Sequence, residues 1–220
     1  MEGLIEFFEH LLDPDWIMRN GGLYLVLCIL FVETGVFFGF LFPGDPLLFI
    51  SGMVIASVNE AHYPFESELL NLPFWMVLFI VSTILGNFFG YWFGYKFKFL
   101  FEGEKDTWLI KKNHVNAARE FYENKGGFTI AIARFLPIIR TFAPIIAGTV
   151  KMDMKRFAFY NVLGAVIWVV SLMSLGFVLG ENPWVQGNLE LVILAIVVIV
   201  TLPVVVKFFT GRKRAGIKSK

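Results

Sequence analysis

The chain has 220 residues, 57% of them hydrophobic, 17% aromatic and only 17% charged, with a net charge of +1. Its mean hydropathy is +0.68. The apolar residues run in blocks long enough to cross the ~30 Å of hydrocarbon in a bilayer, which excludes an ordinary soluble domain and predicts an all-α integral membrane protein.

Residues 1–21, beginning MEGLIEFFEHLLDPDW, carry an amphipathic pattern (Leu4, Phe7, Phe8, Leu11, Leu12). They are acidic and lack the basic n-region and small-residue cleavage site of a signal peptide. Block 22–56 is too long for one helix, and Pro43-Gly44-Asp45-Pro46 cuts it in the middle. The arm after the cut is too short to span comfortably. Block 73–95 reads as a crossing helix, followed by a basic amphipathic segment at 104–126 (Trp108, Val115, Ala118, Tyr122). Block 128–150, FTIAIARFLPIIRTFAPIIAGTV, holds Pro137 and Pro144 with Arg134 and Arg140 on either side of the first proline. Each proline removes a backbone donor and clashes with the preceding turn, so a straight helix through the block is disfavoured. Blocks 157–180 and 189–209 read as two more crossing helices, and 210–220 is a basic tail.

Lysine and arginine fix the sides. Segment 96–127 holds seven, 151–156 holds three and 207–220 holds six, while 57–72 and 181–188 hold none. Cytoplasmic connections carry the Lys/Arg excess, so the first three lie inside, C-terminus included, and the last two outside. Block 128–150 then starts and ends inside and must dip in and return. Block 22–56 becomes a second re-entrant hairpin opening to the opposite face, with the acidic N-terminus outside. The predicted architecture is an inverted repeat: two facing re-entrant helical hairpins, about three crossing helices and amphipathic surface helices. Such repeats place transport sites near the midplane.

Four ionisable residues remain within apolar blocks: Glu33, Asp45, Arg134 and Arg140. A charge at the bilayer centre costs roughly 2.5–3.5 kcal/mol on insertion scales, so such residues face a cavity or a partner. Two acids in one hairpin and two arginines in the other suggest that the hairpin tips meet. One reading is a set of structural salt bridges, though apolar packing would lock the hairpins at less desolvation cost. The functional reading divides the labour. Arginine offers a planar fork that matches phosphate oxygens bidentately, so Arg134 and Arg140 are candidates for a phosphate clamp once an unwound turn at Pro137 brings them together. A carboxylate in a low-dielectric cavity takes a proton more readily, which makes Glu33 and Asp45 candidates for proton coupling; alternatively they only position the arginines.

The glycines of GNFFGYWFG (86–94) and Gly176-Phe-Val-Leu-Gly180 suit close helix packing. Asn87, Tyr160 and Asn161 either line the cavity or bond between helices. Cys28 is the only cysteine, and the three histidines (His10, His62, His114) are scattered, so neither a disulfide nor a metal site is expected. No hydrolase, kinase or nucleotide-binding motif is present. A lipid-modifying enzyme would need a nucleophile with a base, and only Thr141 stands near the arginines. The protein is therefore expected not to be an enzyme and to need no cofactor; a proton-coupled exporter of small ions or drugs and a non-transporting membrane scaffold are alternative readings of the same residues.

FVETGVFFGFLFPGDPLLFISG (31–52) resembles the first signature of the DedA (VTT, SNARE-associated) family, an acid followed by the acid of F-P-G-[DE]. RFLPIIRTFAPIIAGTVKMDMKRFAFYNVLGAVIW (134–168) resembles its second, R-F-x-P-x-x-R-x-x-x-P-x-x-A-G and then Y-N-x-x-G-A-x-x-W. The similarity covers roughly residues 20 to 180. It implies two facing re-entrant hairpins and a bacterial inner-membrane location. It also implies a role in envelope homeostasis, as a flippase of undecaprenyl phosphate or another phospholipid coupled to protons or sodium. Partners would be anionic lipid headgroups and the coupling ion, with no nucleic acid; a homo-oligomer is compatible. The family's essential acids would be Glu33 and Asp45 and its arginines Arg134 and Arg140. Its motif positions would include Pro43, Gly44, Pro137, Thr141, Pro144, Gly148, Tyr160 and Asn161. Where many members carry Gly-Arg after the first crossing helix, this chain has Tyr95-Lys96.

Overall fold

A computed structural model describes residues 22–36, 42–57, 64–65, 67–97, 137–180 and 182–188, with a few isolated positions beyond them. Among these residues the structure is wholly helical: α1 (Gly22–Gly35), α2 (Gly44–Ser57), α3 (Glu68–Lys96), α4 (Pro137–Thr149), α5 (Met154–Gly180) and the short α6 (Pro183–Gly187). The predicted amphipathic segments at 1–21 and 104–126, Arg134, most of the last crossing helix at 189–209 and the tail at 210–220 lie outside the described residues.

Among the described residues two helices are long and apolar enough to cross a membrane, Leu69–Lys96 and Met154–Gly180. Only 33% and 39% of their most apolar stretches are buried, whereas the core helix of a soluble protein would be mostly covered. Val77, Val81, Leu85 and Phe89 of α3 and Val162, Val166 and Val170 of α5 are all exposed. Apolar faces of this extent need a lipid or protein cover. By contrast α1 and α2 have 14 residues each, about 21 Å at 1.5 Å per residue, too short for the ~30 Å core.

The helix boundaries follow local chemistry and depart a little from the apolar blocks. α3 begins at Glu68 and runs through Pro73, five residues before the predicted start, because Glu68 and Asn71 hide that turn from a hydropathy reading. The Asn71 side chain ties the helix to the incoming chain through both backbone groups of Phe65, at 3.2 and 2.8 Å. α2 opens with Asp45 and Pro46 in its first turn, where a carboxylate meets the positive helix end and a missing N–H costs nothing. α4 opens on Pro137 for the same reason. α4 ends in a Schellman turn, with Met152 N–H donating to Ala147 O and Lys151 N–H to Gly148 O, and Lys151 at φ 54° takes the left-handed place that glycine usually fills. Asp153 then caps α5, its side chain accepting from Arg156 N–H at 2.9 Å.

Contacts along the helices set their directions. Tyr24 meets Trp75, Ser82 Oγ donates to Leu27 O, and Gly35 touches Gly86, so α1 runs parallel to α3. Phe49 and Met53 meet Gly176 and Gly180, so α2 runs parallel to α5. Pro144 meets Gly90 and Ile145 meets Gly94, so α4 also runs parallel to α3. Phe157 stacks on Tyr91 while Asn161 bonds Asn87, one turn earlier in α3 and one turn later in α5, so α3 and α5 are antiparallel. It follows that α1 and α2 run in opposite directions.

The glycine contacts repeat in register. A Cβ on Gly52 would strike Met173 O and crowd Phe177 N; one on Gly148 would strike Tyr91 O and crowd Tyr95 N. Reciprocally, Gly176 lies against Phe49 O and Gly94 against Ile145 O. α2 and α4 thus each seat a glycine against a long helix, α5 and α3 respectively, at the same offsets. Backbones approach this closely only where no side chain intervenes.

Candidate functional site

Glu33 stands near the C-terminal end of α1, Asp45 in the first turn of α2 and Arg140 in the first turn of α4. All three are buried, at 0%, 6% and 6% relative exposure. Arg140 Nη1 donates to Asp45 Oδ1 at 2.7 Å and Nη2 to Glu33 Oε1. One guanidinium therefore ties three helices together.

The fourth wall is Trp168 of α5, which sequence reasoning left without a role. Its indole N–H donates to Asp45 Oδ1 at 2.6 Å, and the Arg140 guanidinium carbon lies 4.8 Å from its ring centre. Trp168 is 1% exposed. A buried indole needs an acceptor, and the tryptophan that ends the second signature, Y-N-x-x-G-A-x-x-W, was the signal in the sequence for this position. Trp168 is also mid-length in α5, roughly 20 Å from either end at 1.5 Å per residue, which puts the cluster near the middle of the helix.

The cluster is not fully satisfied. Glu33 Oε2 and Arg140 Nε are buried without a hydrogen-bond partner among the described residues. Two carboxylates face one guanidinium, which leaves one net negative charge if all three are ionised. Gly44 makes room for the arrangement, because a Cβ there would collide with the Glu33 carboxylate. Pro43 precedes it and accepts from Leu47 N–H at 3.0 Å.

The structure brings together Glu33, Asp45 and Arg140, whereas Arg134 lies outside the described residues. Thr141 is buried beside Arg140 in sequence. Pro144 sits within α4 against Gly90, and Gly148 packs on Tyr91. Pro137 starts α4. Tyr160 stacks edge-on with Phe159. Asn161 accepts from Asn87 Nδ2 at 2.8 Å and donates to Ile84 O at 3.3 Å, so of the two expectations for this pair the interhelical bond is the one observed.

With the geometry in place, the comparisons with known proteins agree with one another. The VTT domain model matches residues 28–178, a span that includes all three charged residues and Trp168. The chain is 36% identical over 221 residues to "Protein DedA" of Escherichia coli (strain K12), covering 99% of this chain and 97% of that protein. It is 35% identical over 224 residues to an uncharacterized membrane protein of Mycobacterium tuberculosis (strain ATCC 25618 / H37Rv), covering 98% and 95%. It is 32% identical over 183 residues to "Inner membrane protein YqjA" of Escherichia coli (strain K12), covering 80% and 74%. No solved structure matches. The chain belongs to the DedA family of VTT-domain membrane proteins.

Proposed function

We propose that this protein is a transporter of the bacterial inner membrane that carries an anionic lipid, with undecaprenyl phosphate the favoured class, across the bilayer, coupled to proton or sodium movement, in support of envelope homeostasis. The observation that carries the reading is the buried Arg140, held by two carboxylates at the mouths of two half-length helices. A charge at membrane depth is costly and marks a substrate or ion path. The positive ends of α2 and α4 both open on the cluster, as broken helices do around anionic groups in transporters. The lipid tail would remain in hydrocarbon, so only the phosphate needs a polar path.

Several observations support the finer architecture. The opposed, short α1 and α2 suit a re-entrant hairpin. The matched registers of Gly52 with Gly176 and Gly148 with Gly94, on antiparallel long helices, suit an inverted repeat. In this reading Arg140, with Arg134, holds the phosphate, Glu33 and Asp45 couple the cycle to the ion, and no bond is made or broken. A scaffold reading draws on a different observation, namely that both Nη groups of Arg140 already have partners.

Lipid retention separates the two. Purified full-length protein is exposed to undecaprenyl phosphate or undecaprenol, and bound lipid is counted by native mass spectrometry. The phosphate should be retained roughly ten- to a hundred-fold better than the alcohol, the value of a charge-assisted pair, and Arg140→Ala should erase the difference. Equal retention of both lipids by the folded wild type would favour the scaffold.

A further inference from the structure

The two carboxylates share a guanidinium but not a setting. Asp45 Oδ1 accepts two hydrogen bonds, from Arg140 Nη1 and from the Trp168 indole, and lies in the first turn of α2, where the helix dipole favours a negative charge. Trp168 also presents its ring to Arg140, so it grips both members of that pair. Glu33 accepts a side-chain hydrogen bond from Arg140 Nη2 alone among the described residues, and the rest of its carboxylate, with Oε2 unmatched by any side-chain donor there, lies against the Gly44 backbone at the start of α2. It stands near the C-terminal end of α1, where the dipole opposes its charge. Among the described residues, Asp45 faces it from α2 and Arg140 from α4. From α3 comes Gly86, next to Thr34 and Gly35. The other charged residues of α3 and α5 (Glu68, Lys96, Lys155, Arg156) stand at helix ends.

The nitrogens of Arg140 repeat the asymmetry. Nη1 belongs to Asp45, while Nη2 holds Glu33 and the adjoining Nε is unpaired. Nε and Nη2 form one edge of the guanidinium, and that edge matches two oxygens of a phosphate. When Glu33 takes a proton, its carboxylate becomes a neutral acid, releases Nη2 and exposes the whole edge, while Nη1 stays on Asp45. The added proton and one anionic charge then cancel, so loading changes the buried charge by nothing.

We propose that Trp168 is a positioning residue that makes Asp45 the fixed counterion of Arg140 and leaves Glu33 as the exchangeable one, the carboxylate that yields its place to the ligand. The identity of the ligand rests on the anionic-lipid reading; the division between the acids does not.

The test is infrared difference spectroscopy of the full chain in nanodiscs during acidification, following the C=O stretch of buried carboxylic acids. Three media are compared: plain lipid, lipid with undecaprenyl phosphate, and plain lipid with inorganic phosphate in the buffer. The expected band titrates in wild type, titrates at lower pH in Asp45→Asn, where Glu33 is left as the remaining counterion of Arg140, and is missing in Glu33→Gln. If Glu33→Gln fails to fold, the Asp45→Asn arm decides by itself. Trp168→Phe, which keeps a ring over Arg140 but loses the N–H, should add a second titrating band from Asp45. A band lost in Asp45→Asn, or a Trp168→Phe titration identical to wild type, overturns the proposal. A ligand that prefers the protonated cluster ten-fold moves the titration up by about one pH unit. A shift with the lipid alone identifies a headgroup, and a shift with both identifies phosphate generally. A titrating Glu33 that neither ligand moves supports the division between the acids while refuting the anionic-lipid function.

Discussion

Arg140 sits where its own helix works against it. The first turn of α4 is the positive end of the helix dipole, and burial strips the guanidinium of water. Among the described residues the two carboxylates are its counterions, with the Trp168 ring against its guanidinium, so the cation and its counterions stand or fall together. Removing one partner of a buried ion pair costs about 3–5 kcal/mol, because the remaining charges are left uncompensated, whereas replacing the whole set by neutral groups is close to neutral. Arg140→Ala should therefore lower stability by about that much. The triple variant Arg140→Met, Glu33→Gln, Asp45→Asn should recover most of the loss, measured by thermal unfolding in detergent at fixed lipid content. A triple variant no more stable than Arg140→Ala would mean that the cluster's contribution is packing rather than charge.

At the scale of elements, helices are held by backbone approach more than by side-chain interlocking. Gly148 and Gly176 each lie against a carbonyl of the neighbouring helix, and a methyl group there must push the helices apart. Overpacking of this kind costs about 1–3 kcal/mol. Gly148→Ala and Gly176→Ala are expected to destabilise by that amount, while Gly187→Ala, with nothing within 4 Å, should not. Unfolding temperatures of the three variants check this; equal temperatures for all three would remove the glycine seams from the account. Much of this level is legible in the sequence. Pro43-Gly44-Asp45-Pro46 gives away the break between α1 and α2, and the small residues four apart mark a packing face. Their partners are not legible, because Gly52 meets Met173 and Gly148 meets Tyr91 only through the tertiary arrangement. The partner of Trp168 was hidden for the same reason: the residue ends the second signature, but an indole in an apolar helix has the same sequence appearance whether it meets a lipid or Asp45. The start of α3 escaped because Glu68 and Asn71 interrupt the hydropathy of a helix that continues through them.

At the scale of the molecule, the unusual charges explain the placement of the breaks. Ionisable residues that are visible as exceptions within apolar blocks, Glu33, Asp45 and Arg140, converge because α1 and α2 run in opposite directions and α4 lies along α3. Their meeting point is at mid-length of α5, the depth at which a membrane protein has least reason to keep a charge unless it uses it. Headgroup translocation of a polyprenyl phosphate in proteoliposomes, with and without a pH gradient, tests that use most directly. Wild type should move the phosphate headgroup and respond to the gradient, Glu33→Gln should lose the response, and Arg140→Ala should abolish movement. Translocation that persists in folded Arg140→Ala, or none by folded wild type under either condition, would contradict the claim that the buried cluster carries an anionic lipid.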